Sequence, residues 1–130
     1  MAYKPAGYTD VAPYLIVGDI EATLGFLEAA FGATRLRVFH RPDGSPMHAE
    51  ARIGDTVVMM GQETAQAAHV QAHVHVYVPD VRAVFEAALA AGATEVQAPR
   101  DQGDGDLRAG LRDREGITWW PSTQQNSSQS

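Results

Sequence analysis

Two short patterns hold side chains capable of chemistry. His73-Val74-His75 sets two imidazoles two residues apart, and His48-Ala49-Glu50 sets an imidazole beside a carboxylate at the same spacing. In an extended strand, residues i and i+2 share a face, so each pair would act together. Imidazole nitrogen and carboxylate oxygen are donors for a divalent metal, and Glu50 near His48 and His75 could instead serve as a general base. The ordinary alternative is a set of polar groups hydrogen-bonded to one another on a cavity wall. His40 and His69 fall in loops or strand ends and receive no role.

Other chemistries lack their parts. The chain has no cysteine, which removes disulfides, thiolate metal sites and Cys nucleophiles. It has no nucleophile elbow and no Gly-rich phosphate loop, and its single lysine, Lys4, lies in the N-terminal arm. Ten basic residues against 16 acidic ones give a net charge of -6, the wrong sign for tracking phosphates, so nucleic acid is not an expected partner. No long apolar run suits a signal peptide or a membrane span, and the expected location is cytoplasmic. With 130 residues, 45% of them hydrophobic, the composition fits one globular domain over residues 1–123. The polar, aperiodic residues 124–130 read as a disordered tail.

The elements that position the two patterns come from an internal repeat. Val17-Gly18-Asp19-Ile20-Glu21-Ala22 matches Val78-Pro79-Asp80-Val81-Arg82-Ala83, and Gly32-Ala33-Thr34 matches Gly92-Ala93-Thr94. In each half an apolar extended stretch leads to an Asp suited to capping a helix. Apolar residues then recur at helical spacing, Ile20, Leu24, Leu27 and Phe31 in one half and Val81, Val84, Phe85, Ala88 and Leu89 in the other. Gly32 and Gly92 are the expected helix stops. Three alternating segments come next in each half, separated by turn residues. The expected fold is α+β: two tandem βαβββ modules, about residues 8–62 and 71–123, forming curved mixed sheets around a cleft with helices on the outer faces.

Alternation then sorts side chains onto faces. Val74, Val76 and Val78 would cover a helix, leaving His73, His75 and Tyr77 together on the other side; Tyr14 opposes Leu15 and Val17, and His48, Glu50 and Arg52 oppose Met47, Ala49, Ala51 and Ile53. Trp120 falls on the inner set and Trp119 on the opposite one. The inner surface is therefore aromatic and soft, with Tyr14, Met59, Tyr77 and Trp120 beside His73 and His75. Such side chains suit stacking of a planar ligand.

These residues resemble the vicinal oxygen chelate superfamily, which includes glyoxalase I, extradiol dioxygenases, fosfomycin-modifying enzymes and bleomycin-resistance proteins. The resemblance runs from about Tyr8 to Thr123 and is most specific for the PhnB-like branch. It rests on Pro13-Tyr14-Leu15-Ile16-Val17, Met47-His48-Ala49-Glu50, Ile53-Gly54-Asp55-Thr56-Val57-Val58-Met59 and Gly110-Leu111-Arg112-Asp113 with Trp119-Trp120. Enzymes of the superfamily hold a divalent metal with four side chains. Here the matching positions carry Ala12, Met59, His73 and Trp120, so the resemblance implies that the metal ligands are largely lost. Gly103-Asp104 stands where many PhnB-like relatives carry an aromatic pair before Gly105-Asp106.

Bleomycin-resistance proteins of this superfamily are similar in lacking the metal ligands, forming homodimers and sequestering a bulky drug in aromatic clefts. The expectation is thus a dimeric, metal-independent binder of an aromatic or peptide-like antibiotic, with no catalytic residue, no metal and no cofactor. Its ligand-binding residues would be Tyr14, His48, Glu50, Met59, His73, His75, Tyr77 and Trp120. Two alternatives stay open: a metal-dependent lyase, isomerase or dioxygenase with a relocated His and Glu site, and a structural or regulatory dimer without a ligand.

Overall fold

The computed structural model describes residues 2–101 and 103–125. The first module runs β1 (Tyr14–Val17), α1 (Ile20–Phe31), β2 (Thr34–His40), β3 (Pro46–Ile53) and β4 (Thr56–Gln62). The second repeats it as β5 (Ala72–Tyr77), α2 (Val81–Ala90), β6 (Thr94–Asp101), β7 (Asp106–Arg112) and β8 (Ile117–Gln124). Each module builds one four-stranded sheet, ordered β1-β4-β3-β2 and β5-β8-β7-β6, so the two βαβββ units share one topology. In each, the first strand pairs in parallel with the fourth and the remaining pairs are antiparallel. The last strand extends through Gln124, one residue into the segment read as tail, and Gln125 N–H donates to Gly105 O at 2.8 Å. Residues 126–130 lie outside the described residues.

The capping aspartates act as their positions predict. Asp19 accepts from Ala22 N–H at 3.0 Å and Asp80 from Ala83 N–H at 3.2 Å, each satisfying an amide that the first helical turn leaves open. Gly32 ends α1 with φ 65°, the left-handed geometry that a side chain disfavours. The second helix departs from the expected stop by one residue. Its C-cap is Ala91 at φ -84°, and the positive φ falls on the following Gly92.

Each helix covers one face of its own sheet. Arg35, opposite Ala51 in the β2–β3 ladder, reaches Glu21 and Glu28 of α1, which puts α1 on the Ala49/Ala51 side. That side carries the buried Leu15, Val17, Ala49, Ala51 and Met60. In the second module α2 packs on β6, β7 and β8 and buries Val81, Phe85 and Ala88. Trp119, opposite Val74, lies on the apolar face with none of its surface exposed; its ring stands 5.4 Å from that of Phe31 at the end of α1, a residue that groups with the second module. Its indole N–H donates to Asp113 at 2.9 Å. Trp119 thus has the parity expected of it and serves as core.

A bulge recurs in both modules. Pairing slips between Arg35 and Val38 in β2 and between Glu95 and Gln97 in β6. An extra residue re-aims the side chains beyond it. Arg35 and Arg37 would share a face in a regular strand, yet Arg35 reaches α1 while Arg37 reaches Glu50 on the opposite side.

Candidate functional site

In the first module the face away from α1 gathers side chains from four strands. Register sets Tyr14 opposite Met59, Met59 opposite Glu50, and His48 opposite Gly61 and Phe39. Glu50 is 2% exposed and saturated with donors. Arg37 grips it through Nε at 2.9 Å and Nη2 at 3.2 Å, His48 Nε2 lies 2.8 Å from Oε2, and the Tyr8 hydroxyl donates to Oε1. Burial works to raise the Glu50 pKa, but hydrogen bonds from Arg37, Tyr8 and His48 outweigh it and hold the carboxyl at about 2. Tyr8 responds in the other direction: burial and the adjacent carboxylate raise its phenol pKa.

Above this buried group lies an open aromatic row. The His48 ring sits 5.6 Å from Tyr14 and 5.8 Å from Phe39, and the Arg37 guanidinium lies over Tyr8 at 5.0 Å and over Phe39 at 5.5 Å. Tyr14 is 53% and Phe39 45% exposed, so both offer ring surface to solvent. The Tyr14 hydroxyl is 3.3 Å from His48 Nδ1.

The second module carries a different set at the equivalent positions. His75 pairs with Trp120, Tyr77 with Ser122, and Arg108 with Ser122. His73 and Trp120 stack with centroids 6.1 Å apart and planes 19° apart, and the Trp120 indole N–H donates to His73 Nδ1 at 3.0 Å. His75 meets Tyr77 edge-on at 4.7 Å. Beside them Arg108 bonds Ser122 Oγ at 2.7 Å, Asp106 at 2.9 Å and Asp104 at 3.3 Å, while the Tyr77 hydroxyl donates to Asp106 at 2.9 Å. Burial, then the Arg108 charge, push the His75 pKa down, so its ring is neutral at pH 7.

A glycine seats one ring in each module. A Cβ at Gly61 would come within 2.6 Å of the Tyr14 hydroxyl, and one at Gly110 within 2.6 Å of the Trp120 ring. Each ring therefore occupies space that a side chain at its glycine would fill.

The structure brings together Tyr14, His48, Glu50 and Met59 in the first module, and His73, His75, Tyr77 and Trp120 in the second. Glu50, with this burial and three donor residues, lies beneath the face rather than at its surface. Residues that the strand pattern passed over are Tyr8, Arg37, Phe39, Asp106 and Arg108, with Gly61 and Gly110 as seats. Arg37 could have been sought only by allowing a bulge in β2.

The donors present do not fit a divalent metal. Among the described residues no group of three His, Cys, Asp or Glu stands ready to hold an ion. His73 spends Nδ1 on Trp120, and His48 has both ring nitrogens engaged. Met59 and Trp120 supply neither hard oxygen nor imidazole nitrogen. Among the described residues no helix is long and apolar enough to cross a membrane.

Two sheets of the same βαβββ topology, each with a polar and aromatic face opposite its helix, define the class. The chain belongs to the Glyoxalase/Bleomycin resistance protein/Dioxygenase superfamily, whose family model matches residues 8–120. It is 33% identical over 120 aligned residues to an uncharacterized protein from Mycobacterium bovis, covering 84% of this chain and 79% of the relative. Among solved structures it is similar to TioX from Micromonospora sp. ML1, at TM-score 0.76 and 26% identity over 89% of this chain and 98% of that one. It also shares the fold of a glyoxalase I variant from Zea mays, at TM-score 0.71 and 23% identity over 90% of this chain and 47% of that one.

Proposed function

We propose that this protein is a metal-independent small-molecule binder that sequesters an aromatic or peptide-like antibiotic, working in the cytoplasm as a homodimer. One observation carries the reading: both sheet faces expose rings while the polar groups next to them are already paired. Tyr14 and Phe39 do so over the Glu50 cluster and Tyr77 over the Asp106–Arg108 cluster, with the half-buried Trp120 stacked on His73. Paired polar groups keep their own partners when a ligand arrives, so binding draws on stacking and desolvation of ring surface. Membership of a superfamily that includes bleomycin-resistance proteins supports the same direction. The net charge of -6 adds a long-range attraction for cationic drugs.

The reading is tested by titrating the protein with bleomycin and with a planar acridine while following tryptophan emission. Trp119 is sealed in the core, so saturable quenching reports Trp120 and disappears in Trp120→Phe. Absence of quenching by either probe would favour the ligand-free structural reading. A stoichiometric metal in the purified protein, lost in His73→Ala, would favour the metalloenzyme reading.

A further inference from the structure

The first module holds a hydroxyl, an imidazole and a carboxylate in series. Tyr14 Oη lies 3.3 Å from His48 Nδ1, and His48 Nε2 lies 2.8 Å from Glu50 Oε2. The far end of the series is pinned by Arg37 and Tyr8 on the same carboxylate, and the near end is a half-exposed phenol among open rings. An ionised carboxylate only accepts hydrogen bonds. His48 Nε2 is therefore the donor to Glu50, and in the tautomer protonated there Nδ1 is the acceptor for the Tyr14 hydroxyl. This is the order of parts by which a buried carboxylate fixes an imidazole tautomer and the imidazole takes a hydroxyl proton. The 3.3 Å gap is of the kind that closes when a ligand covers the site.

From this geometry we infer that Tyr14, His48 and Glu50 form a metal-free proton relay that deprotonates planar aromatic ligands bearing an acidic ring proton or phenol. Tyr14 is the residue that touches the ligand; His48 stores the proton and Glu50 positions His48. The inference uses the same aromatic face as the binding reading but adds chemistry to it. Arg37 also marks a limit. It shares the Glu50 charge, so the part of the carboxylate is to orient the imidazole.

A suitable probe is 5-nitrobenzisoxazole, a planar ring whose base-promoted opening needs no metal. Tyr14 Oη takes the C3 proton as its own proton passes to His48 Nδ1. The C–H electron pair becomes the new carbon–nitrogen bond of a nitrile, the N–O bond breaks, and the oxygen leaves as a coloured nitrophenolate. Tyr14 keeps the proton it took from C3, and His48 releases the proton it received to water, which restores both groups.

The experiment measures this opening with the full chain in the presence of a chelator. Wild-type protein is expected to exceed free imidazole at equal concentration, with Tyr14→Phe and His48→Gln each lowering kcat/KM by about 100-fold. Imidazole added to His48→Ala should restore part of the rate, which a purely structural role would not allow. Turnover no faster than imidazole, retention of the rate in Tyr14→Phe, or failure of rescue would each overturn the relay. Saturable quenching of Trp120 by acridine in the same sample would then show that the binding reading survives without it.

Discussion

Where the first module buries Glu50 in β3, the second has Gly110 at the equivalent place in β7, and where the first has His48 the second has Arg108. Tyr14 of β1 corresponds to His75 of β5, and Met59 of β4 to Trp120 of β8. At this pair of positions one backbone plan thus carries a buried carboxylate in one copy and, in the other, a glycine that makes room for the Trp120 ring. The bulge, the N-caps and the strand order are common to the two modules, whereas the residues on the face opposite the helix differ. A fold can host many chemistries because function lives in sites built upon it.

Removing the charge from the first module should do the most damage. Glu50→Ala leaves Arg37, His48 and Tyr8 without their common acceptor and should lower stability by about 3 kcal/mol in urea unfolding. An effect under about 1 kcal/mol would mean that the cluster is solvated and the contrast between modules weaker than drawn.

Acid should expose the same difference. The Glu50 carboxyl titrates at about 2 in the native protein against the usual 4.5, so the folded state favours its ionised form. Its contribution is complete above about pH 4.5 and is lost as pH falls toward 2, on the order of 3 kcal/mol in all. Glu50→Gln should lack this acid-sensitive component in unfolding curves followed across that range. A parallel pH dependence in the variant would assign the effect elsewhere.

A smaller and more local effect is expected in the second module. Gly110→Ala pushes a methyl group into the Trp120 ring and should cost about 1–3 kcal/mol while shifting Trp120 emission. An unshifted spectrum would show that the seat does not set the ring position. Smallest of all, Tyr77→Phe removes one hydrogen bond to Asp106, which keeps Arg108 as a partner, and should cost about 1 kcal/mol or less.

Much of this architecture is legible in the sequence for physical reasons. Asp19 and Asp80 announce helix starts because few residues satisfy open amides as well, and period-two alternation puts Tyr14, His48, His75, Tyr77 and Trp120 on the correct faces. Alternation fails where the backbone slips. Arg37 reaches Glu50 only because of the bulge after Arg35, and two-residue periodicity assigns it to the wrong side. Tyr8 reaches Glu50 from 42 residues away, a contact that no local pattern encodes. For Glu50 itself alternation gives the right face but the wrong depth, since burial depends on the partners that neutralise it. The glycine seats leave no sequence signal because Gly61 and Gly110 matter for a side chain they lack.

The central claim is that ring surface, with no metal, holds the ligand. Its most direct test is calorimetric titration of planar acridine into chelator-treated protein, repeated after adding back divalent zinc, manganese or magnesium. The account predicts one affinity under all of these conditions and its loss in Trp120→Ala. Binding that appears only after a metal is restored, with Trp120→Ala unaffected, would contradict it.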